Sequence, residues 1–283
     1  MDLRDKTFVI TGANTGIGRA NAIALAERGL GRLIIAARSQ ERTEPVLAEV
    51  RAKNPAGKVE FVALDLSDLS AVQRAANSIL EKDITIDALI NNAGVAGVQG
   101  QTKDGFELAF GTNHVGHYLW TEKLLPLVQR ATQGRVVIVA SRGHFRAKNG
   151  IDWDAVRKTS ATFSAFPEYC VSKLANVLHA SELARRLQDT RVTTYSLHPG
   201  GVASDIWKRR MGALAVLLRP FLITNEEGAK TQLHCETADA LADESGLYYD
   251  NERPKKPSAF ARSIELQDEL KTRSDEWVAR FLG

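Results

Sequence analysis

Short, almost wholly apolar runs alternate along this chain with longer stretches in which apolar residues recur every three or four positions. The runs Thr7–Ile10, Leu33–Ala36, Val59–Leu64, Ala88–Ile90, Val136–Ala140, Val192–Leu197 and Gly246–Tyr249 read as strands covered on both faces. Between them, helices are predicted near Gly18–Arg28, Arg42–Lys53, Leu69–Glu81, Asn113–Gln129, Glu168–Leu187 and Glu226–Thr237, with a terminal helix near Ser263–Phe281. This alternation predicts a single α/β domain, a doubly wound and mainly parallel sheet of about seven strands with helices on both faces. No linker, repeat or low-complexity block divides residues 1–283. Arg253-Pro254-Lys255-Lys256-Pro257 reads as a surface loop.

Composition narrows the class. Hydrophobic residues make up 44% and charged residues 25% of 283, the balance of an ordinary soluble protein. A net charge of +3 is too small to imply nucleic-acid binding. Cys170 and Cys235 give neither a disulfide framework nor metal-ligand spacing, and they suit a reducing interior. Residues Met1 to Lys6 run straight into the first strand, leaving no room for a signal peptide. No apolar run reaches the ~20 residues that span a bilayer. The longest, Met211 to Ile223, is broken by Arg219-Pro220. These features lead to the expectation of a cytoplasmic protein without a stable membrane anchor.

Candidate chemistry begins at the first strand, which ends in Thr11-Gly12-Ala13-Asn14-Thr15-Gly16-Ile17-Gly18 and passes directly into helix. Glycines there permit a tight turn and close approach of a pyrophosphate, and the helix start offers free N–H groups. The second strand closes on Ala37-Arg38-Ser39, with Arg42 a turn later, where an acidic residue would bind the ribose of NAD. Arg38 can instead pair with a 2′-phosphate, which favours NADP(H) over NAD(H). Asp65-Leu66 ends the third strand; Asp65 has two readings, an acceptor for the adenine amino group or a cap for the helix near Asp68. Asn91-Asn92-Ala93-Gly94 ends the fourth strand and suits sheet stabilisation or cofactor contact. Tyr169 and Lys173 lie four apart on a predicted helix, so they share one face. An ammonium beside a phenol favours the phenolate and lowers a pKa normally near ~10.

Taken together, these residues resemble the short-chain dehydrogenase/reductases. Thr11 to Gly18, Asp65-Leu66, Asn91 to Gly94, Asn113, Ser141, Tyr169 with Lys173, and Pro199-Gly200 occur in the family's order. Asn113-His114-Val115-Gly116-His117, the run Tyr169 to Leu178, His198-Pro199-Gly200, Glu227-Gly228-Ala229 and Gly246 to Tyr249 are most similar to the retinol dehydrogenase and carbonyl reductase branch. The resemblance implies a Rossmann-type fold, with a cofactor-binding part at about 6–140 and a catalytic and substrate part at about 141–283. It implies that Tyr169 is the general acid or base and that Ser141 orients the substrate oxygen. Lys173 would hold the nicotinamide ribose and lower the tyrosine pKa, while Asn113 would anchor a water chain behind it. Gly12, Asn14, Thr15, Gly16, Ile17, Gly18, Arg38, Asp65, Leu66, Asn92, Ala93 and Gly94 would contact the coenzyme, as would Tyr169 and Lys173. Pro199, Gly200, Val202 and Ser204 would hold the carboxamide end. The family also builds dimers and tetramers from helices matching Asn113–Gln129 and Glu168–Leu187, so a homodimer or homotetramer is an expectation.

Other residues read as structural. His114 and His117 are i, i+3 without a third metal ligand, and packing explains them; His198 reads the same way. The basic cluster Lys208-Arg209-Arg210 reads as solvated surface. It adjoins a variable lid at about 203–223 whose apolar residues would line a pocket for a lipophilic aldehyde or ketone, with its basic flank touching anionic membranes transiently. The chain is thus expected to be an NADP(H)-dependent oxidoreductase interconverting a carbonyl and an alcohol, on a retinal-like or general carbonyl substrate. The alternatives are a catalytically silent NADP-binding sensor or scaffold, and an enzyme like protochlorophyllide reductase.

Overall fold

A computed structural model describes residues 1–200 and 223–283. In chain order the main elements are β1 (Thr7–Thr11), α1 (Gly16–Glu27), β2 (Arg32–Ala37), α2 (Gln40–Lys53), β3 (Lys58–Ala63), α3 (Leu69–Leu80) and β4 (Ala88–Asn91). They continue with α4 (Leu108–Phe110), a π-helical turn (Gly111–Val115), α5 (Gly116–Val128), β5 (Gly134–Val139), α6 (Phe166–Arg186) and β6 (Val192–His198). After the undescribed residues come α7 (Asn225–Thr237), β7 (Leu247–Asp250), β8 (Arg253–Pro254) and α8 (Ile264–Leu282). The strands form one sheet in the order β3-β2-β1-β4-β5-β6-β7-β8, parallel throughout except for the β7–β8 pair. The chain starts in the middle of the sheet, winds outward to β3 and returns to β4. The reversal between β1 and β4 opens a crevice at the carboxyl ends of the strands, where ligands of such sheets bind.

Strand alternation sorts the core into two layers. Phe8, Ile10, Leu33, Ile35, Val137 and Val139 face one side, against Leu25, Leu47 and Leu233 of α1, α2 and α7. Val9, Ile34, Val136 and Ile138 face the other, against Val72, Leu119, Leu178 and Val278 of α3, α5, α6 and α8. Because both faces of the central strands are covered, those strands are mostly apolar, and each fully buried apolar side chain contributes roughly 1.5–3 kcal/mol.

Two features depart from the sequence reading. Arg253 and Pro254, expected in a loop, pair antiparallel with Asp250 and Tyr249 and make an eighth strand. The helix expected from Asn113 begins earlier and contains the π turn, with Asn113 at its centre. The expected terminal helix, α8, lies across α3, α5 and α6. Its Ser274 meets His114 Nε2 at 2.9 Å and its Asp275 accepts from Tyr118 Oη at 2.5 Å. No helix among the described residues is long and apolar enough to cross a membrane.

Candidate active site

The crevice is a cleft of about 450 Å³ with the glycine-rich turn at one end and the start of α6 at the other. At the first end, Gly12 adopts φ +69°, and a Cβ built there would sit 2.8 Å from Ala93 Cβ. A Cβ on Gly18 would fall 2.5 Å from Asn92 Nδ2. Only glycine lets β4's terminal turn press so closely on the β1–α1 turn. Asn92 Nδ2 donates to the Thr11 carbonyl at 2.8 Å, and Thr11 Oγ1 accepts from the Asn92 and Ala93 N–H groups, both at 3.0 Å. The Thr11 hydroxyl also meets His117 Nε2 at 2.9 Å, while His117 Nδ1 meets the Asn113 carbonyl at 3.0 Å. A carbonyl can only accept, so Nδ1 carries the proton and Nε2 accepts from Thr11. Burial pushes the His117 pKa down to about 3, against a hydrogen bond to Asn113 that raises it and a charge on Lys173 that lowers it further.

The α1 start is left open. Its N-cap Thr15 makes no side-chain capping bond, so the N–H groups of the first turn and the positive end of the helix dipole face the cleft. Asn225 Oδ1 is buried without a partner among the described residues, 4.0 Å from where a Cβ on Gly16 would lie. His198 Nδ1 is likewise buried and unpartnered, on a residue that lines the cleft. Orphaned polar atoms, open N–H groups and a glycine cradle together fit a dinucleotide. Arg38 and Arg42 stand exposed beyond β2, their guanidinium groups without a hydrogen-bonded or acidic partner among the described residues. Asp65 does not cap α3: Asp68 does, accepting from Ser70 and Ala71 N–H at 2.9 and 3.2 Å. Asp65 uses only Oδ1, for Ser67. Leu66 is packed in the core with its carbonyl against Gly116.

At the other end Ser141 follows β5 and starts a 3-10 turn, Arg142–Arg146. Its Oγ accepts from Gly143 N–H at 3.0 Å, and its carbonyl accepts from His144 Nδ1 at 2.6 Å. A Cβ on Gly143 would lie 3.4 Å from both Ser141 Oγ and Tyr169 Cε1, so the two hydroxyl-bearing side chains converge on one point. One turn on, Lys173 is buried and its Nζ donates to the Val139 carbonyl at 2.7 Å, 5.8 Å from the centre of the Tyr169 ring. Asn113 sits behind it. Its amide donates to the Val95 carbonyl at 3.0 Å and to Ser172 Oγ at 2.9 Å, and accepts from Val95 N–H at 2.8 Å. These bonds tie the post-β4 loop to α6 next to Lys173.

The electrostatics run against the expectation that Lys173 lowers the tyrosine pKa. Burial pushes Tyr169 up to about 12, with a hydrogen bond to Ser141 opposing it, and burial pushes Lys173 down to about 7. At both groups desolvation of the charged form is the largest influence. Tyr169 keeps part of its surface open to the cleft, which tempers the push on its phenol.

Gly12, Thr15, Gly16, Ile17, Gly18, Asn92, Ala93 and Gly94 thus share one cleft with Ser141, Tyr169, Lys173, Pro199 and Gly200. Asn14, Arg38, Asp65, Leu66 and Asn113 lie outside its lining. Val202, Ser204, the cluster Lys208-Arg209-Arg210 and all but the last residue of the lid lie outside the described residues. The structure adds residues not singled out for this site: His117 as the link between β1 and the π turn, His198 in the wall, and Arg142, Arg146 and Phe166 at the α6 end. His117 lies 106 residues from Thr11, so no local spacing signals the pair.

Residues 6–152 match the family model described as short chain dehydrogenase. The chain is 40% identical over 275 residues to human retinol dehydrogenase 12, covering 95% of this chain and 85% of that protein. It is 40% identical over 256 residues to human dehydrogenase/reductase SDR family member 13, covering 88% of this chain and 67% of the other. Among solved structures, an uncharacterised protein from Mycobacterium paratuberculosis superposes with a TM-score of 0.79 at 32% identity, covering 98% of this chain and 95% of its own. A short chain dehydrogenase from Shigella flexneri, solved in complex with NADP, shares the fold with a TM-score of 0.71 at 22% identity, over 89% of this chain and 99% of that one.

Proposed function

The chain belongs to the short-chain dehydrogenase family and is an oxidoreductase of CH–OH donors, and from that premise we propose that it reduces an aldehyde or ketone with an apolar body, using NADPH. The observation that carries this reading is the convergence of Ser141 and Tyr169 beside buried Lys173, in the cleft that holds the glycine cradle. When bound, the reduced coenzyme supplies the hydride. The α1 N–H groups would hold its pyrophosphate, Arg38 its 2′-phosphate, and Lys173 its nicotinamide ribose. Ser141 would donate to the substrate oxygen and turn it towards Tyr169. As negative charge builds on that oxygen, the Tyr169 hydroxyl gives up its proton to it. With a pKa near 12 the tyrosine is protonated at neutral pH, the form that a reduction needs. The apolar surface of Ala96, Gly97 and Phe166 supports an apolar substrate body.

The test is a panel of aldehydes, ketones and alcohols with NADPH and NADH, run beside Tyr169→Phe. The variant should lose at least ~100-fold in kcat while binding NADPH as before, in line with removal of a proton-transfer group. Turnover unaffected by the substitution would reject the assignment of Tyr169. NADPH binding without turnover of any panel member would favour a silent sensor instead.

A further inference from the structure

Two arginines rise from the short turn after Ser141, and the protein treats them differently. Arg142 is neutralised: its Nε and Nη2 donate to the two oxygens of Asp250 at 2.7 and 2.8 Å, and Lys255 donates to the same carboxylate at 2.9 Å. Arg146, four residues on, is exposed and has no acidic partner among the described residues. Its guanidinium instead lies 5.9 Å from the centre of the Phe166 ring, and that ring stacks on Tyr169 at 6.0 Å with 23° between the planes. The order along the wall is therefore proton donor, aromatic face, cation. No Asp or Glu lines the cleft among the described residues, so nothing there competes for the charge. An arginine within cation–π reach of an aromatic ring is not neutralised by it, and its planar fork matches carboxylate and phosphate.

We infer that Arg146 is a specificity-determining residue that selects carbonyl substrates carrying an anionic group, a carboxylate or a phosphate, on the far side of the Phe166 ring from the reacting carbon. This rests on the carbonyl-reductase reading above and narrows its substrate class. Phe166 would flank the apolar stretch that separates the two polar ends, and Arg146 would hold the tail without touching the reacting atoms.

The experiment compares kcat/KM with saturating NADPH for three aldehydes of equal chain length, ending in a methyl, a carboxylate or a phosphate monoester. The wild-type protein should prefer at least one anionic aldehyde over the neutral one by about tenfold or more. Arg146→Gln should abolish that preference and leave the neutral aldehyde within about twofold, and Arg146→Lys should restore part of it. Rising salt should erode the wild-type preference, because the cation is exposed. The carboxylate and phosphate arms say which anion is read. Equal losses on charged and neutral aldehydes, no wild-type preference, or a loss that appears in the KM for NADPH would each overturn the inference. Failure of the wild-type protein to turn over any of the three aldehydes would overturn the underlying reading; turnover without anion preference would overturn only the role of Arg146.

Discussion

At the glycine end of the cleft, the side chains of Thr11, Asn92 and His117 turn inward and spend their hydrogen bonds on main chain and on one another. What that leaves open to the cleft is largely backbone, with the N–H groups of the first turn of α1 uncapped by a side chain. At the α6 end the pattern is reversed. Ser141, Tyr169 and Arg146 present side chains to the cleft, and the backbone behind them is short and irregular, a 3-10 turn and a helix start. Even the strain differs. Gly12 and Gly16 take the positive φ values at the first end, whereas at the second the buried Ala165, just before Phe166, holds φ +46°. A site that binds a constant ligand can be made of main chain. One that must distinguish substrates needs side chains, and pays for their placement in strain and desolvation.

The sharpest way to break this contrast is to unlock the inward-turned cluster with acid. His117 has a folded pKa of about 3 against the usual 6.5, so between those values the unfolded chain takes up a proton that the folded chain refuses. Its contribution is intact above pH 6.5 and is lost as pH falls, by up to ~1.4 kcal/mol per unit, or about 3 kcal/mol by pH 4.5. His117 faces Thr11, the Asn113 carbonyl and Lys173, none of which is acidic, so nothing nearby would hold the imidazolium. His117→Gln should be less stable at pH 7, and its stability between pH 6 and 4.5 should fall with a slope shallower by about one proton. Urea unfolding at a series of pH values measures this; an unchanged slope would mean that the imidazole is not locked neutral in the folded state.

A second test sets one arginine against the other. Arg38 and Arg146 are both exposed, one beyond β2 and one at the α6 end. If the ends divide the work, Arg38→Ala should lower kcat/KM for NADPH about tenfold and leave NADH nearly unchanged, an exposed charge-assisted contact being worth about 1.4 kcal/mol. Arg146→Gln should do neither. Loss of NADPH preference from Arg146→Gln, or its retention in Arg38→Ala, would dissolve the division.

The same contrast decides what could be read from sequence. The glycine end was legible because its chemistry is local: a strand, a glycine turn and a helix follow one another within residues 7–27. The central strands were legible because a sheet covered on both faces leaves few polar positions in them. β8 was not, since a two-residue edge strand of Arg253 and Pro254 carries no alternation and looks like the loop it ends. The π turn was hidden because all its residues are buried, so no change of period marks it. Arg146 and Phe166 meet across nineteen intervening residues of irregular chain (147–165), beyond any repeat. The pKa directions of Tyr169 and Lys173 were beyond the spacing altogether: four residues fix their shared face, but burial fixes which effect wins.

The smallest expected effect is the most specific to the α6 end. Ala165 is fully buried in the left-handed region, directly before the helix that carries Phe166, Tyr169 and Lys173. Holding an alanine there costs up to ~1–2 kcal/mol, which Ala165→Gly would remove. Against that, the variant loses a buried methyl, about 0.8 kcal/mol, and frees the unfolded chain by a further ~0.4–1 kcal/mol. The terms nearly cancel, so the thermal midpoint should hardly move. Turnover responds differently if the alanine fixes the angle at which α6 leaves the loop. Glycine would let the first turn of α6 wander, and kcat should fall a few-fold, since Tyr169 sits in that turn. An unaltered kcat would show that the left-handed alanine is tolerated there without serving the placement of Tyr169.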